Sequence, residues 1–378
     1  MPPRSVLALG LLGLIPPDFA VAASVAETFR RLDRDGDGKL TREEAGPAPF
    51  FDPADADRDG TLTLAELERH ARSRPPANAG RGAGMEGDGA GPADSRVRPA
   101  AVSETDSPLL SLDTTAADGR TVRAYWRRPA GAGAWPVIVF IHGGLSRQED
   151  AILMRQLRVN PVTTRLLERG YIVAHATFRT YEQDIQSRGP IEDVRAVVQA
   201  LARETAVDPR RIALFGGSGG GSIALELGAD PAVRAVVAGE PATLIYTGML
   251  TTGEYGPRLA MMADPARHLT PELRAATRAK LRGLRAPVLI LHSDQHDLRK
   301  LNAPLFLPLM REEGVAVEYR EYPGYGHGFY FGGGDDRWGK GADESVVAAV
   351  VRDVADFLAR ALPAATDGGA PGGRPGKP

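Results

Sequence analysis

The sequence predicts an α/β protein: a doubly wound, mainly parallel sheet preceded by a small all-α module. Three observations carry that prediction. From about residue 110, short Val- and Ile-rich runs alternate with helix-length amphipathic segments; two acidic Asp/Gly loops lie close together near the N-terminus; a stretch poor in large apolar residues separates the two regions. At 378 residues and 43% hydrophobic composition, the chain can build one large core and one small one. A formal charge of −2 gives no general attraction to nucleic acid or to an anionic membrane.

Residues 1–22 read as an export signal: Arg4 supplies the positive region, residues 6–15 the apolar run, and Ala20-Val21-Ala22 a small-x-small cleavage site. The run is too short to span a bilayer and stops at Pro16-Pro17. A buried N-terminal helix is the competing reading. Export would place the protein in a periplasm or outside the cell. With no cysteine, the chain has no disulfide framework.

The small module is expected over residues 23–72. "DRDGDGKLTREE" places Asp33, Asp35 and Asp37 at positions one, three and five of a twelve-residue loop, Gly38 at six, Thr41 at nine and Glu44 at twelve. "DADRDGTLTLAE" repeats the pattern with Asp55, Asp57, Asp59, Gly60, Thr63 and Glu66. This is the EF-hand spacing: calcium takes six to eight hard oxygens, the glycine allows the turn, and the last Glu can give two oxygens. Lys39 and Thr61, at position seven, would offer backbone carbonyls, and Leu40 and Leu62 can pair as the bridge between loops. Two structural Ca2+ sites are expected. The first exit helix is cut short at Gly46-Pro47, which suits a tight pair better than a sensor that opens widely. Residues 73–104 and 364–378 are Gly-, Pro- and Ala-rich and are expected as a linker and a tail without fixed structure.

In the large domain, residues 105–363, strand candidates are "VIVFI" (137–141), "YIVAHA" (171–176), "RIALF" (211–215), "AVVAG" (235–239), "PVLILH" (287–292) and "AVEYREY" (316–322). Between them a helix over 191–204 is expected, with Val194, Val197, Val198 and Leu201 on one face. "GGSGG" follows "RIALF" and precedes "GSIALELG", the strand–turn–helix context of a G-x-S-x-G nucleophile elbow. Ser218 would project its hydroxyl above the sheet, and the Gly219 N–H would face a developing oxyanion. A phosphate-cradling loop would need a Gly-Lys-Ser/Thr triplet, and none is here.

A nucleophilic serine needs a base, and the base an orienting acid. His327, in the glycine-rich "YPGYGHGFYF" after the last strand, is the expected base; His292 reads as structural and His268 lies in the variable middle region. For the acid, the loop "HSDQHDLRK" offers Asp297, preferred for its place before the apolar helix, and Asp294 as the alternative. "FIHGGL" ends a strand upstream, where Gly144 or Leu145 can give a second oxyanion N–H; His142 reads as structural.

Residues from about 110 to 361 resemble an α/β-hydrolase of the branch shared by dienelactone hydrolases, acetyl esterases and prolyl oligopeptidase catalytic domains. "FIHGGL", "IEDVRAVVQAL…DPRRIALFGGSGGG" and "EYPGYGHGF" carry the resemblance, and residues 23–72 separately resemble a paired EF-hand. The resemblance implies Ser218 as nucleophile, His327 as base and Asp297 as acid, with no catalytic cofactor. The sequence lacks the propeller of the oligopeptidases and has serine where the cysteine-using dienelactone hydrolases have cysteine, so it points to an exported serine esterase acting on a small-molecule or peptide substrate. A serine peptidase, and a calcium-dependent binding protein on an inactive hydrolase scaffold, are the alternatives. Residues 241–285, rich in Leu, Tyr and Met, would either cap the site or pack on the sheet.

Overall fold

The computed structural model describes residues 29, 33, 35–45, 51–73, 107–181, 184–253, 255–333 and 339–362. The expected export signal, linker and tail lie outside the described residues, apart from the helical residue 73 at the linker's start. The chain divides into two compact units, Met1–Gly80 and Arg81–Pro378.

In the first unit, strand β1 (Lys39–Thr41) pairs antiparallel with β2 (Thr61–Thr63), and Leu40 stands opposite Leu62. Both leucines are fully buried, packed with Phe29, Phe51, Ala54 and Leu67. The apolar position of each loop therefore builds a core, and the acidic positions are left outside it. A helix Leu64–Ser73 leaves the second loop, whereas the helix leaving the first is only Arg42–Ala45.

The second unit is built on an eight-stranded sheet. Its strands are β3 (Leu110–Thr115), β4 (Thr121–Arg127), β5 (Trp135–Ile141), β6 (Ile172–Ala176), β7 (Val207–Gly217), β8 (Ala235–Gly239), β9 (Val288–Ser293) and β10 (Val317–Tyr322). Their spatial order is β10-β9-β8-β7-β5-β6-β4-β3. Strands β5 to β10 run parallel; β3 and β4 add an antiparallel edge. All six expected strands are present. The β3–β4 hairpin escaped sequence reading because its pattern, half exposed along β3, is broken by polar residues.

Each face of the sheet carries its own core. Val137, Val139, Ile141, Leu214 and Ile290 face one side, with Val194, Val197, Val198 and Leu201 of the Gly189–Leu201 helix against them. Ile138, Phe140, Phe215, Val237 and Leu291 face the other, covered by Val347, Val350, Val354 and Leu358 of the Glu344–Ala361 helix. Near-continuous apolar strands follow from this two-sided burial. The first core also takes in Leu244, Ile245, Tyr246, Met249, Leu250 and Met262 of the 241–285 segment. Packing on the sheet, the second of the two readings for that segment, accounts for these residues.

Candidate active site

Ser218 stands between the end of β7 and the helix Gly219–Leu227, with φ +50° and ψ −116°. A non-glycine residue in that region is strained, and the surroundings must hold it there. Two backbone bonds do so: Ser218 N–H donates to the Gly239 carbonyl, and the Ser218 carbonyl accepts from Ala242 N–H, both at 2.8 Å. The glycines after it are required by close approach. A Cβ on Gly219 would stand 2.3 Å from the Gly144 carbonyl oxygen, and one on Gly220 would meet the Ile141 and His142 carbonyl oxygens at 2.3 and 2.4 Å. The serine turn is thus packed backbone to backbone against the "FIHGGL" turn after β5, bringing Gly219, Gly144 and Leu145 to one end of the sheet.

His142 stays behind this turn. Its Nδ1 lies 2.8 Å from the Gly143 carbonyl oxygen, its ring stacks on Phe178 at 4.1 Å, and burial lowers its pKa to about 4. A neutral, fully buried ring there matches the structural role expected of it.

These two bonds go to the last residue of β8 and to the turn after it, and that turn carries Glu240. Its side chain is fully buried and its φ is +40°. Glu240 Oε2 lies 2.7 Å from His327 Nδ1 and accepts from Gly328 N–H at 3.3 Å. The other oxygen, Oε1, accepts from Ser293 N–H at 3.2 Å and from the Ser293 hydroxyl at 2.9 Å. Burial by itself raises the pKa of Glu240. The facing His327, by its charge and its hydrogen bond, outweighs it and holds the group ionised well below the usual carboxylate range.

The His327 loop is seated on the same two turns. Tyr330, three residues on, is buried; a Cβ on Gly217 or on Gly239 would come within 2.5 and 2.3 Å of its ring. His327 is 7% exposed, and its ring stacks on His296 at 4.1 Å between centroids. His296 is buried, and its Nδ1 accepts from Leu298 N–H at 3.2 Å. Burial, then the nearby His327, lowers the pKa of His296.

Neither aspartate of the loop after β9 occupies the acid position. Asp297 is half exposed and pairs with Lys300 at 2.8 Å. Asp294 accepts from Gly324 N–H at 2.7 Å and from the Gln295 amide, so it ties down the start of the His327 loop without reaching the ring. Among the described residues, the carboxylate at His327 is Glu240. Its signal in the sequence was a lone acid directly after a fully apolar strand, "AVVAGE", where burial demands a partner. His268 lies on the short helix Pro265–His268 and is half-buried.

In the other unit, the carboxylate oxygens of Asp33, Asp35 and Asp37 lie within 4.8 Å of one another, as do those of Asp55, Asp57 and Asp59. Gly36, Gly38 and Gly60 take the left-handed turn at φ +73°, +80° and +84°. Glu44 Oε2 accepts from the Thr41 amide and hydroxyl, and Glu66 Oε2 from those of Thr63, which orients each terminal carboxylate toward its loop. Asp55 Oδ1 is buried with no hydrogen-bond partner among the described residues, the state expected of an atom shaped to meet a cation. All-oxygen donors on a glycine turn fit calcium.

The sequence model of the prolyl oligopeptidase family matches residues 162–362, more than half of the chain, and an EF-hand model matches 25–44 and 48–69. Among solved structures, the chain is similar to the dipeptidyl peptidase 4 of Porphyromonas gingivalis (18% identity, TM-score 0.50, covering 68% of this chain and 36% of that one). It is also similar to a puromycin-hydrolyzing peptidase of Mycobacterium tuberculosis (18%, 0.52, 70% and 41%). A hyperthermophilic esterase of Pyrobaculum calidifontis aligns at 20% identity with a TM-score of 0.49, over 70% and 88%. The chain thus spans about two-fifths of the length of the two peptidases. No curated protein matches it.

Proposed function

This chain belongs to the prolyl oligopeptidase family and is a serine hydrolase with an EF-hand module; from that premise we propose that it hydrolyses carboxylic esters with Ser218, His327 and Glu240. The observation that carries the assignment is the 2.7 Å pair of His327 with a fully buried Glu240 whose turn is bonded to both sides of the Ser218 backbone. Ser218 Oγ attacks the ester carbonyl carbon, and His327 takes the hydroxyl proton on Nε2. Glu240 at Nδ1 fixes the tautomer and stabilises the imidazolium. The carbonyl oxygen becomes an oxyanion facing the Gly219 N–H and that of Gly144 or Leu145. His327 returns the proton to the departing alkoxide; water, deprotonated by the same ring, then releases the acid and restores Ser218.

Ester over amide is supported by the order of the chain. Between the EF-hand pair and the β3–β4 hairpin lie only residues 74–109, too few for a domain that would gate a peptide site. Peptide-bond hydrolysis is the second reading, favoured by the family match. Calcium, at two sites formed by the 33–44 and 55–66 loops, would stabilise the small unit, and the apolar run at residues 6–15 would direct export.

The test is turnover of short-chain nitrophenyl esters beside aminoacyl nitroanilides, by wild type and Ser218→Ala, with calcium and with chelator. The expected result is ester turnover that falls at least about 1,000-fold in Ser218→Ala. Amide turnover in its place moves the reading to a peptidase. No turnover of either, with Ser218 unlabelled by a fluorophosphonate, removes the enzymatic reading in favour of a calcium-dependent binding protein.

A further inference from the structure

Glu240 has a second imidazole at its other oxygen. His292, at the end of β9 and fully buried, places Nδ1 3.6 Å from Glu240 Oε1. A carboxylate between two histidines divides its stabilising charge between them if both can take a proton. Resting on the triad proposed above, we infer that Asn302 is a positioning residue that keeps His292 neutral, so that the charge of Glu240 is reserved for His327.

The argument is a proton assignment. Asn302 is fully buried and opens a π-helical turn, Asn302–Phe306; such turns in helical segments often mark functional positions. Its side chain meets three partners. Nδ2 donates to the Pro241 carbonyl at 2.9 Å, and Oδ1 accepts from the Thr243 hydroxyl. A carbonyl only accepts, so the atom facing Pro241 is the nitrogen, and the amide orientation is settled. The second N–H of Nδ2 then points at His292 Nε2, 3.0 Å away. That ring nitrogen is an acceptor and carries no proton. His292 Nδ1 bears the proton and donates it to the Ser293 carbonyl at 2.8 Å. Both ring nitrogens are satisfied in the neutral form, and a proton on Nε2 would collide with an amide N–H in a site without solvent.

The surroundings agree. His292 is faced by Glu240 and His327, and by Glu321 and the ring of Tyr319 on β10, whose centroid is 6.3 Å away. Burial, the strongest influence, favours neutral His292 over the pull of Glu240. Asn302 also grips the carbonyl of Pro241, the residue after Glu240, and so helps hold the strained φ of +40° that aims the carboxylate.

The full-length wild-type protein, 15N-labelled at histidine, gives the first test. The His292 signals, identified by their loss in His292→Gln, are expected to show one proton on Nδ1 and no titration between pH 5 and 8. A titration in that range, or a proton on Nε2, overturns the inference without any reference to turnover. Asn302→Asp gives the second, by placing a carboxylate opposite Nε2. His292 is then expected to gain a second proton, ester kcat to fall at least tenfold, and KM to stay within about twofold. A doubly protonated His292 with wild-type kcat and an unmoved acidic limb of kcat/KM overturns it. A wild type that turns over no substrate overturns the triad instead, and the resonance experiment separates the two failures.

Discussion

Two neighbouring turns at the carboxyl ends of β8 and β9 each present acids to the same histidine loop, and the fold uses them differently. The turn after β8 carries one carboxylate, Glu240, in a strained backbone, dry, and bonded on both oxygens. The loop after β9 carries two, Asp294 and Asp297, both in water and held by a backbone amide and a lysine. The difference teaches that a triad acid is recognised by what surrounds it. A solvated carboxylate loses most of its pull on an imidazolium, whereas one desolvated against fixed donors keeps it.

Substitution should expose that contrast first. Glu240→Gln, close to isosteric, is expected to lower ester kcat by about 1,000- to 10,000-fold, as removal of a triad acid does elsewhere, while Asp297→Asn stays within about twofold. Steady-state kinetics of the two variants side by side decides the matter, and a reversed order would return the acid role to the loop after β9.

Acid should separate the dry and wet groups next. His142 and His175 are buried, with pKa values lowered to about 4 and about 3, in both cases chiefly by burial. Their unfolded forms take up protons below about pH 6.5, and the folded forms do not until the pH approaches those lowered values. Stability is therefore intact above pH 6.5 and is lost as the pH falls toward 4, with a slope from these two of at most about 3 kcal/mol per pH unit. Urea midpoints at pH 7 and pH 5 measure it; equal midpoints would mean that water reaches these rings.

A smaller effect is expected from Asp294→Ala, which leaves Gly324 N–H without its acceptor and loosens the His327 loop at its base. The expected loss is about 1 kcal/mol of stability and a few-fold in kcat, read by thermal unfolding and by kinetics. Smallest for catalysis, and confined to the small unit, is Asp55→Asn. It should weaken calcium binding in titration calorimetry and leave calcium-saturated ester turnover within about twofold. A large loss of turnover would instead couple the loop to catalysis.

Much of this was legible in the chain. "RIALFGGSGG" and "YPGYGHGF" are local signals, because an elbow needs glycines at fixed offsets and a histidine in a glycine-rich loop directly after a strand reads as a base. The two acidic loops were legible for the same reason, each being a complete coordination pattern within twelve residues. Glu240 escaped because its meaning depends on Ser218, Ser293 and His327, all distant in sequence, and because two aspartates in a better-known place outbid it. His292 escaped for a related reason: at the end of an apolar strand it reads as filler until Asn302, ten residues on, is seen to face its ring.

The sequence by itself determined the alternation of strands and helices, the serine on its turn, the histidine in its loop and the calcium-loop pair, since each is written in a contiguous pattern of periodicity, glycine and acid. Only the tertiary structure decided which carboxylate meets His327 and which histidine ring faces a buried amide. Both depend on exclusion of water and on donors arriving from separate strands, and burial is a property of the packed sheet that no short stretch of sequence contains.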